Sequence, residues 1–336
     1  MSHSPRMSRP ALATWLLAAA VAAFPTWEEW RFRLTPGAFE GFSCIGNGWS
    51  EPSPLDPLRG DLDALLVNVE AWTIPPLLIL AALLARRNPR RAGRRTAVVL
   101  VLIAVVIPAT PLYSSPDECG GLIPLFSAEW FTTVLESWGS TQLCLIGAAA
   151  LILLASWRTS DAPQGKTGVT WRRPVALLVD YLLVVAVLTF VVEPVLWLPG
   201  VDELPLSVNV YHGLLNQATI RWDTVDFDGL IVLFVVFLYF WGQHTLWGQT
   251  PGKRLLRIQV TPVRAAKRMA VRTLIFPLLV FVSLAGPVVL IVNGMWTLLD
   301  PAGRALHDRL LNTEVIRKAR STGQREARVR PFPGQR

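Results

Sequence analysis

The chain has 336 residues, of which 52% are hydrophobic and only 17% charged, and its mean hydropathy is +0.40. Soluble globular chains carry about 25% charged residues, so this composition excludes an ordinary soluble domain. The net charge of +8 would suggest nucleic-acid binding in a soluble protein, but membrane proteins also collect Lys and Arg on one side.

Six apolar stretches approach the length of about 20 residues that a membrane-spanning helix needs. Their apolar residues run continuously rather than alternating, which favours helices over half-buried strands. In chain order they cover residues 10–24, 62–85, 96–113, 141–157, 174–198 and 229–248. The first is short and follows two arginines, so it is either an uncleaved helix or a signal peptide. The pair Phe24-Pro25 interrupts a small-residue cleavage site and favours the uncleaved helix.

The basic residues give the orientation of these spans. If the N-terminus is inside and the chain alternates, 28 of the 32 Lys and Arg residues fall on the inner side. The positive-inside rule therefore predicts a multi-pass protein of the plasma membrane with both termini in the cytoplasm. The basic segments 86–95 and 253–272 are expected to contact anionic lipid headgroups, and no nucleic acid is needed as a partner. A homo-oligomer or another membrane partner is left open.

A seventh apolar region, residues 273–299, lies between two basic clusters that a single crossing would place on opposite sides. Its middle contains the helix breaker Ala285-Gly286-Pro287, and each half is too short to span alone. We therefore expect a re-entrant or in-plane helical hairpin, and the alternative is one true span. The predicted fold is an all-α polytopic membrane protein with about six transmembrane helices plus this C-terminal hairpin.

The three cysteines do not form a CxxC pair, and the four histidines are scattered, so neither a metal site nor a cofactor is predicted. Cys44 and Cys119 fall in the two large outer loops, where a disulfide is allowed. We predict a Cys44–Cys119 bond, and the alternative is two unpaired thiols. Cys144 lies in a helix and is interpreted as a small packing residue.

Three ordered motifs lie between residues 171 and 317. The first is Trp171-Arg172-Arg173 with Asp180 seven residues on, the second is Gly248-Gln249-Thr250-Pro251-Gly252-Lys253, and the third is Arg304-Ala305-Leu306-His307-Asp308-Arg309. Together they resemble the RDD family of bacterial membrane proteins, which is named for one arginine and two aspartates. The resemblance implies a multi-helix membrane domain with Arg173, Asp180 and Asp308 as its namesake residues and an inner loop that contains Gly248, Thr250, Pro251, Gly252 and Lys253.

The same motifs divide the chain into three parts. Residues 1–160 form an N-terminal four-helix membrane region that resembles no family we can name. Residues 161–318 form the RDD-like domain. Residues 319–336 are rich in Arg, Gly and Pro and poor in apolar residues, which predicts a disordered basic cytoplasmic tail.

Asp180 lies two helical turns past Arg173, so the two side chains share a helix face at a depth of about 10 Å. An ionised aspartate at that depth must face the protein interior, because exposure to lipid costs at least about 2.5–3.5 kcal/mol. One interpretation is that Asp180 binds a cation or a proton. The other is that it forms a structural ion pair with Arg304 or Arg309.

Asp308 is predicted either to pair with Arg173 at the inner surface or to be an ordinary solvated charge. Its neighbour His307 is either a group that titrates near neutral pH or an exposed residue without a role. Glu70 lies in the second span before Pro75-Pro76, and with Asp180 it is a candidate for an ion pathway. The alternative is that Glu70 marks the wet end of a helix that starts later.

No catalytic arrangement is visible, so no enzyme activity is expected. The loop 248–253 lacks the GxxxxGK[ST] spacing of a phosphate-binding loop, and no strand precedes it, which argues against nucleotide binding. The resemblance links some family members to cation/proton antiport, so cation or proton transport is the first hypothesis. The alternative is a non-catalytic scaffold or accessory subunit in which the Arg and Asp residues form structural salt bridges.

Overall fold

A computed structural model describes residues 9–35, 53–71, 73–84, 89–112, 122–157, 171–200, 227–261, 266–282 and 304–317, with single positions between 208 and 215 and between 286 and 300. These residues are mostly helical, with one two-stranded sheet. The helices are α1 Arg9–Arg33, α2 Asp56–Ala71, α3 Ile74–Leu84, α4 Pro89–Val106, α5 Ala128–Glu136, α6 Ser140–Trp157, α7 Arg172–Val187, α8 Glu193–Leu196, α9 Phe227–Trp247, α10 Pro251–Leu255, α11 Ala266–Ile275 and α12 Leu306–Leu310. The strands are β1 Ile258–Thr261 and β2 Glu314–Arg317.

The predicted all-helical membrane fold is confirmed. Among the described residues, five helical segments are long and apolar enough to cross a membrane, and they are Arg9–Arg33, Arg90–Ala109, Ser140–Trp157, Arg172–Leu196 and Asp228–Trp247. The predicted span 62–85 is interrupted, because α2 ends at Ala71 and α3 begins at Ile74. Thr73 between them has a φ of 56°, and Pro75-Pro76 opens the short apolar helix that follows.

The N-terminal region has a core in which α1 packs against α6 and α3, and α4 packs against α6. Many of the buried positions are alanines, among them Ala18, Ala22, Ala104 and Ala148. Small residues let helix backbones approach closely, which is how helices associate where lipid removes the hydrophobic drive. The first helix is therefore an integral part of this core, with Trp15 only 1% exposed.

A second core joins α7 and α9. Val184 and Leu188 pack there with Val232 and Val236, and Leu214 of the loop between the two helices is buried among them. The helix α7 continues through a π-helical turn, Leu188–Val192, into α8. The described positions Val208, Val210 and Leu214 between α8 and α9 are therefore part of this core.

The segments on either side of the last apolar region form one small polar structure, which we call the polar cap, residues 250–261 and 304–317. Its strands pair antiparallel with Val260 opposite Val315 and Thr261 opposite Glu314. Arg272, just before the apolar region, lies 3.0 Å from Asp308 just after it. The apolar region therefore leaves and returns on the same side, as the predicted hairpin requires, and the single-span alternative is wrong.

The chain inside this hairpin is broken near its middle. Helix α11 ends at Ile275, a 3-10 turn covers Leu278–Phe281, and helical positions resume at Gly286. The amide of Gly286 donates to the carbonyl oxygen of Val282 at 2.6 Å. A side chain at Gly286 would overlap the carbonyl of Val280, so only glycine allows this tight return.

Candidate functional site

Asp180 is completely buried and lies in a socket of hydrogen-bond donors. Thr250 donates its hydroxyl to one carboxylate oxygen at 2.5 Å. Tyr239 donates its hydroxyl to the other oxygen at 3.0 Å, and the amide of Gly252 donates to the same oxygen at 2.8 Å. These three donors occupy most of the roughly four acceptor sites that a carboxylate offers.

The second motif supplies two of these donors through its turn geometry. Gly248 ends α9 with a φ of 69°, a conformation that favours glycine. Thr250 caps the short helix α10, where its hydroxyl accepts from the amide of Lys253, and Pro251 occupies the first helical turn. A Cβ on Gly252 would overlap the carbonyl oxygen of Ala176, so the turn approaches α7 as closely as a backbone can.

The predicted structural partner of Asp180 is therefore wrong. Arg304 instead lies 3.5 Å from Asp300, and the guanidinium of Arg309 lies over the ring of Trp296 at 5.3 Å. Hydroxyl and amide groups satisfy this carboxylate in place of a guanidinium.

Asp308 is the centre of a buried ion network. One carboxylate oxygen accepts from Arg173 at 3.0 Å, so of the two predicted alternatives Asp308 forms the Arg–Asp bridge and is not a solvated charge. The other oxygen accepts from Arg272 at 3.0 and 3.2 Å and from Thr313 at 3.1 Å. Burial raises the pKa of Asp308, but Arg272, His307 and Arg173 outweigh that effect and hold the pKa well below its usual range.

His307 belongs to the same network, and its predicted exposed position is wrong. The side chain is buried and stacks on Phe276 with ring centroids 5.2 Å apart. Its Nδ1 lies 2.8 Å from Asn293 Oδ1, and its Nε2 lies 3.2 Å from an Arg272 nitrogen. Burial lowers the pKa of His307, so the ring is neutral near pH 7.

Lys253, the last residue of the second motif, has a histidine as its partner. Its Nζ lies 2.6 Å from Nε2 of His244, whose Nδ1 lies 2.6 Å from the carbonyl oxygen of Phe240. Because a carbonyl only accepts, His244 carries its proton on Nδ1 and offers a lone pair to Lys253. Burial and the nearby Arg272 lower the pKa of Lys253 well below its usual value.

A cavity of about 200 Å³ lies between these groups. Its charged or titratable lining residues are Arg173, Asp180, Lys253, Arg272, His307 and Asp308. The rest of its wall is largely apolar and includes Leu177, Phe240, Phe276 and Leu290. All three namesake residues of the motif therefore line one cavity.

Sequence reasoning missed a second buried acid. Asp61 of α2 accepts from the hydroxyl of Tyr181 at 2.6 Å and from the amides of Leu214 and Leu215 at 2.9 and 2.7 Å. Burial raises the pKa of Asp61 to about 6, although these three donors oppose the shift. The one available signal was Tyr181 beside Asp180, since a tyrosine within a span usually finds a polar partner.

Some predicted site residues lie outside the part of the chain that the structure describes. Glu70 lies in α2, but its side chain is outside the described residues, so its pairing with Asp180 in one pathway stays a prediction. Cys44 and Cys119 also lie outside the described residues, and so does the basic tail. Within the described part of the chain, no group of three or more His, Cys, Asp or Glu residues could hold a metal ion.

The helices and the buried polar site define a multi-pass helical membrane protein. Residues 167–312 match the model of the RDD family, which is the part of the chain that holds the three motifs. No curated protein and no solved structure matches the chain.

Proposed function

We propose that this protein is a non-catalytic membrane scaffold or accessory subunit whose Arg and Asp residues hold the polar cap on the helix bundle. The observation that supports this most strongly is the number of hydrogen bonds that the carboxylates of Asp180 and Asp308 already accept. Asp308 accepts four hydrogen bonds and Asp180 accepts three, while a carboxylate offers about four acceptor sites. Carboxylates so fully engaged stabilise a fold and leave little capacity for a moving ion.

The position of the ion network supports the same function. Arg173 belongs to α7, Arg272 to the start of the hairpin and Asp308 to the polar cap, so one carboxylate connects three separate segments. Breaking a buried ion pair by removing one partner costs about 3–5 kcal/mol, because the remaining charge is left without compensation. The network therefore holds the polar cap against α7 and the start of the hairpin.

The proposal also covers the membrane in which the protein lies, the orientation of the chain in that membrane and its binding partners. We propose that the protein lies in the plasma membrane with both termini in the cytoplasm. The basic residues cluster in the segments that lie on the inner side when the predicted spans alternate across the membrane. The polar cap and the segment 86–95 then face anionic headgroups, and a homo-oligomer or another membrane protein is the partner that a scaffold needs. A reporter fused after Arg336 tests the orientation, since activity confined to the outer side would contradict it.

Cation or proton transport is the second candidate, and the cavity that reaches Asp180 favours it. Purified protein in proteoliposomes, loaded with a pH-sensitive dye and challenged with Na⁺ or K⁺ gradients, separates the two functions. A scaffold gives no flux above empty vesicles, and Asp180→Asn lowers its stability or accumulation. Cation-driven proton flux that Asp180→Asn abolishes while the variant still accumulates and folds would instead establish transport.

We propose no enzyme activity. Among the described residues that line the cavity there is no serine or cysteine nucleophile, and the histidine that does line it, His307, is held by Asn293 and stacked on Phe276. A general base needs an open position next to a substrate, and this ring has none.

A further inference from the structure

We propose that the cavity between α7, the hairpin and the polar cap binds one anionic phosphate group, and that the phospholipids of the surrounding membrane supply it. The proposed site consists of Lys253 with Arg173 and Arg272, and the apolar wall of the cavity receives the carbon chain next to the phosphate. This inference does not depend on the scaffold function, because either a scaffold or a transporter can bind a lipid here.

The charges around the cavity do not balance. Three cations, Arg173, Lys253 and Arg272, face two carboxylates, Asp180 and Asp308. His244, whose lone pair faces Lys253, and His307 add no charge. Once Lys253 is protonated, the described residues that line the cavity therefore carry one unit of excess positive charge, and an unpaired charge in such surroundings is strongly unfavourable.

The excess cation is Lys253. Both carboxylates are already engaged by other donors, and among the described residues the ammonium group of Lys253 has only the neutral lone pair of His244 as a hydrogen-bond partner. An ammonium group has three N–H donors, so two are free to bind a ligand. The Nε of Arg173 is also buried without a hydrogen-bond partner among the described residues.

The remaining lining explains why the ligand should have an apolar part. Five apolar residues also line the cavity: Leu177, Phe240, Phe276, Pro277 and Leu290. Its volume of about 200 Å³ is below the roughly 300 Å³ at which pockets for drug-sized ligands begin. The space therefore suits a phosphate with its first few ester carbons, while longer chains would extend into the bilayer.

The depth of the site matches a lipid headgroup. Arg173 lies in the first turn of α7, and His244, the partner of Lys253, lies in the last turn of α9. Both positions are at the ends of helices that can cross the membrane. Basic pockets between transmembrane helices at this level are typical binding sites for anionic lipid headgroups.

Binding should also take up a proton. The groups that face Lys253 are His244 from α9, Arg173 and Asp180 from α7, Arg272 from α11, and His307 and Asp308 from the polar cap. Burial and Arg272 lower the pKa of Lys253, and an anion beside it would raise that pKa again. The affinity for the anion should therefore fall as the pH rises.

Full-length protein in an uncharged detergent provides the test, with short-chain phosphatidylglycerol, short-chain phosphatidylcholine and inorganic phosphate as probes. Native mass spectrometry counts bound lipid, and the shift in melting temperature measures affinity. We expect one phosphatidylglycerol to bind and phosphatidylcholine to bind at least about tenfold more weakly, because its choline cation would face three cations. Stabilisation by inorganic phosphate equal to that by phosphatidylglycerol would support the phosphate site and identify the free ion as its ligand.

The variant Lys253→Met should bind phosphatidylglycerol at least about tenfold more weakly, since it removes the unmatched charge and keeps most of the unbranched side chain. Arg254→Met is the matched control, because Arg254 is the neighbouring basic residue and is exposed outside the cavity. Leu177→Trp fills the apolar wall without changing any charge, and it should also prevent binding. Wild-type affinity in both Lys253→Met and Leu177→Trp, or equal losses in Lys253→Met and Arg254→Met, would overturn the proposal.

Discussion

The contact between Gly252 and Ala176 makes Gly252→Ala a direct test of the close packing of this turn against α7. The new methyl carbon would overlap the carbonyl oxygen of Ala176 and would lie 2.9 Å from a carboxylate oxygen of Asp180. The first neighbour is helix backbone in α7 and cannot rotate away. The turn that contains Gly252 must therefore move out of its place against α7.

Two terms set the size of the effect. Overpacking of a close contact costs about 1–3 kcal/mol. Outward movement of the turn also weakens the bond from the Gly252 amide to Asp180, which is 2.8 Å long, and a hydrogen bond to a charged group contributes about 1.5–3 kcal/mol. Because the same displacement relieves the overlap and breaks the bond, the two terms do not add fully. We expect a loss of about 3 kcal/mol, roughly a hundredfold change in the unfolding equilibrium.

Reversible unfolding by sodium dodecyl sulfate in mixed micelles measures this loss. Gly242→Ala is the matched control, since Gly242 lies in α9 and no atom comes within 4 Å of the place that its new methyl carbon would take. That variant should be as stable as the wild type or slightly more stable, because alanine is the better helix former. If Gly252→Ala and Gly242→Ala unfold at the same detergent fraction, the close approach of the turn to α7 is not what requires glycine.

Three further predictions concern the buried acids and the hairpin. Asp308→Asn should destabilise the protein by about 3–5 kcal/mol near pH 7, and the stability that Asp308 contributes should be lost as the pH falls below the ordinary aspartate value of 3.8, because its folded-state pKa is lower still. For Asp61 the sign is opposite, so stability should rise as the pH falls through about 6, and Tyr181→Phe should move that midpoint higher in a pH series of unfolding curves. Gln259→Cys with Ile316→Cys should form a disulfide under oxidant in a background without the native cysteines, since these positions are paired.

Two controls serve these predictions, one for the buried acids and one for the cysteine pair. Glu136→Gln changes an exposed acid and should leave both the stability and its pH dependence as in the wild type. A cysteine pair shifted by two residues along β2 should cross-link poorly, because diagonal neighbours are about 7–8 Å apart. If the two pairs cross-link equally, the strand register is wrong. If neither forms, the ends of the hairpin do not lie on one side.

The sequence predicted those parts of the fold that depend on periodicity and charge. Continuous apolar runs located the spanning helices, and the basic clusters on both sides of residues 273–299 required a hairpin. The Arg173–Asp308 bridge was also predictable, because a buried carboxylate and a guanidinium at the same depth need each other. These arguments use only the position of charge along the chain.

The wrong predictions concern buried polar side chains whose hydrogen-bond partners are uncharged groups instead of charged ones. One of the two interpretations of Asp180 paired it with an arginine, but Thr250, Tyr239 and the amide of Gly252 donate to its carboxylate instead. His307 was judged by its own short segment, and its burial comes from Asn293 and Phe276 in the hairpin. The positions of charged residues along the sequence do not predict such long-range contacts between neutral groups.

Helix α7 connects the Asp308 network, the turn around Asp180 and the N-terminal region. Arg173 in its first turn binds the closing segment at Asp308, Asp180 two turns later binds the inner turn, and Tyr181 binds Asp61 of the N-terminal region. Because a helix is rigid over this distance of about 12 Å, a shift of the N-terminal region at Tyr181 must reach the polar cap as a shift of Asp180 or Arg173. We therefore expect the motif residues to couple the position of the polar cap to the N-terminal half of the chain.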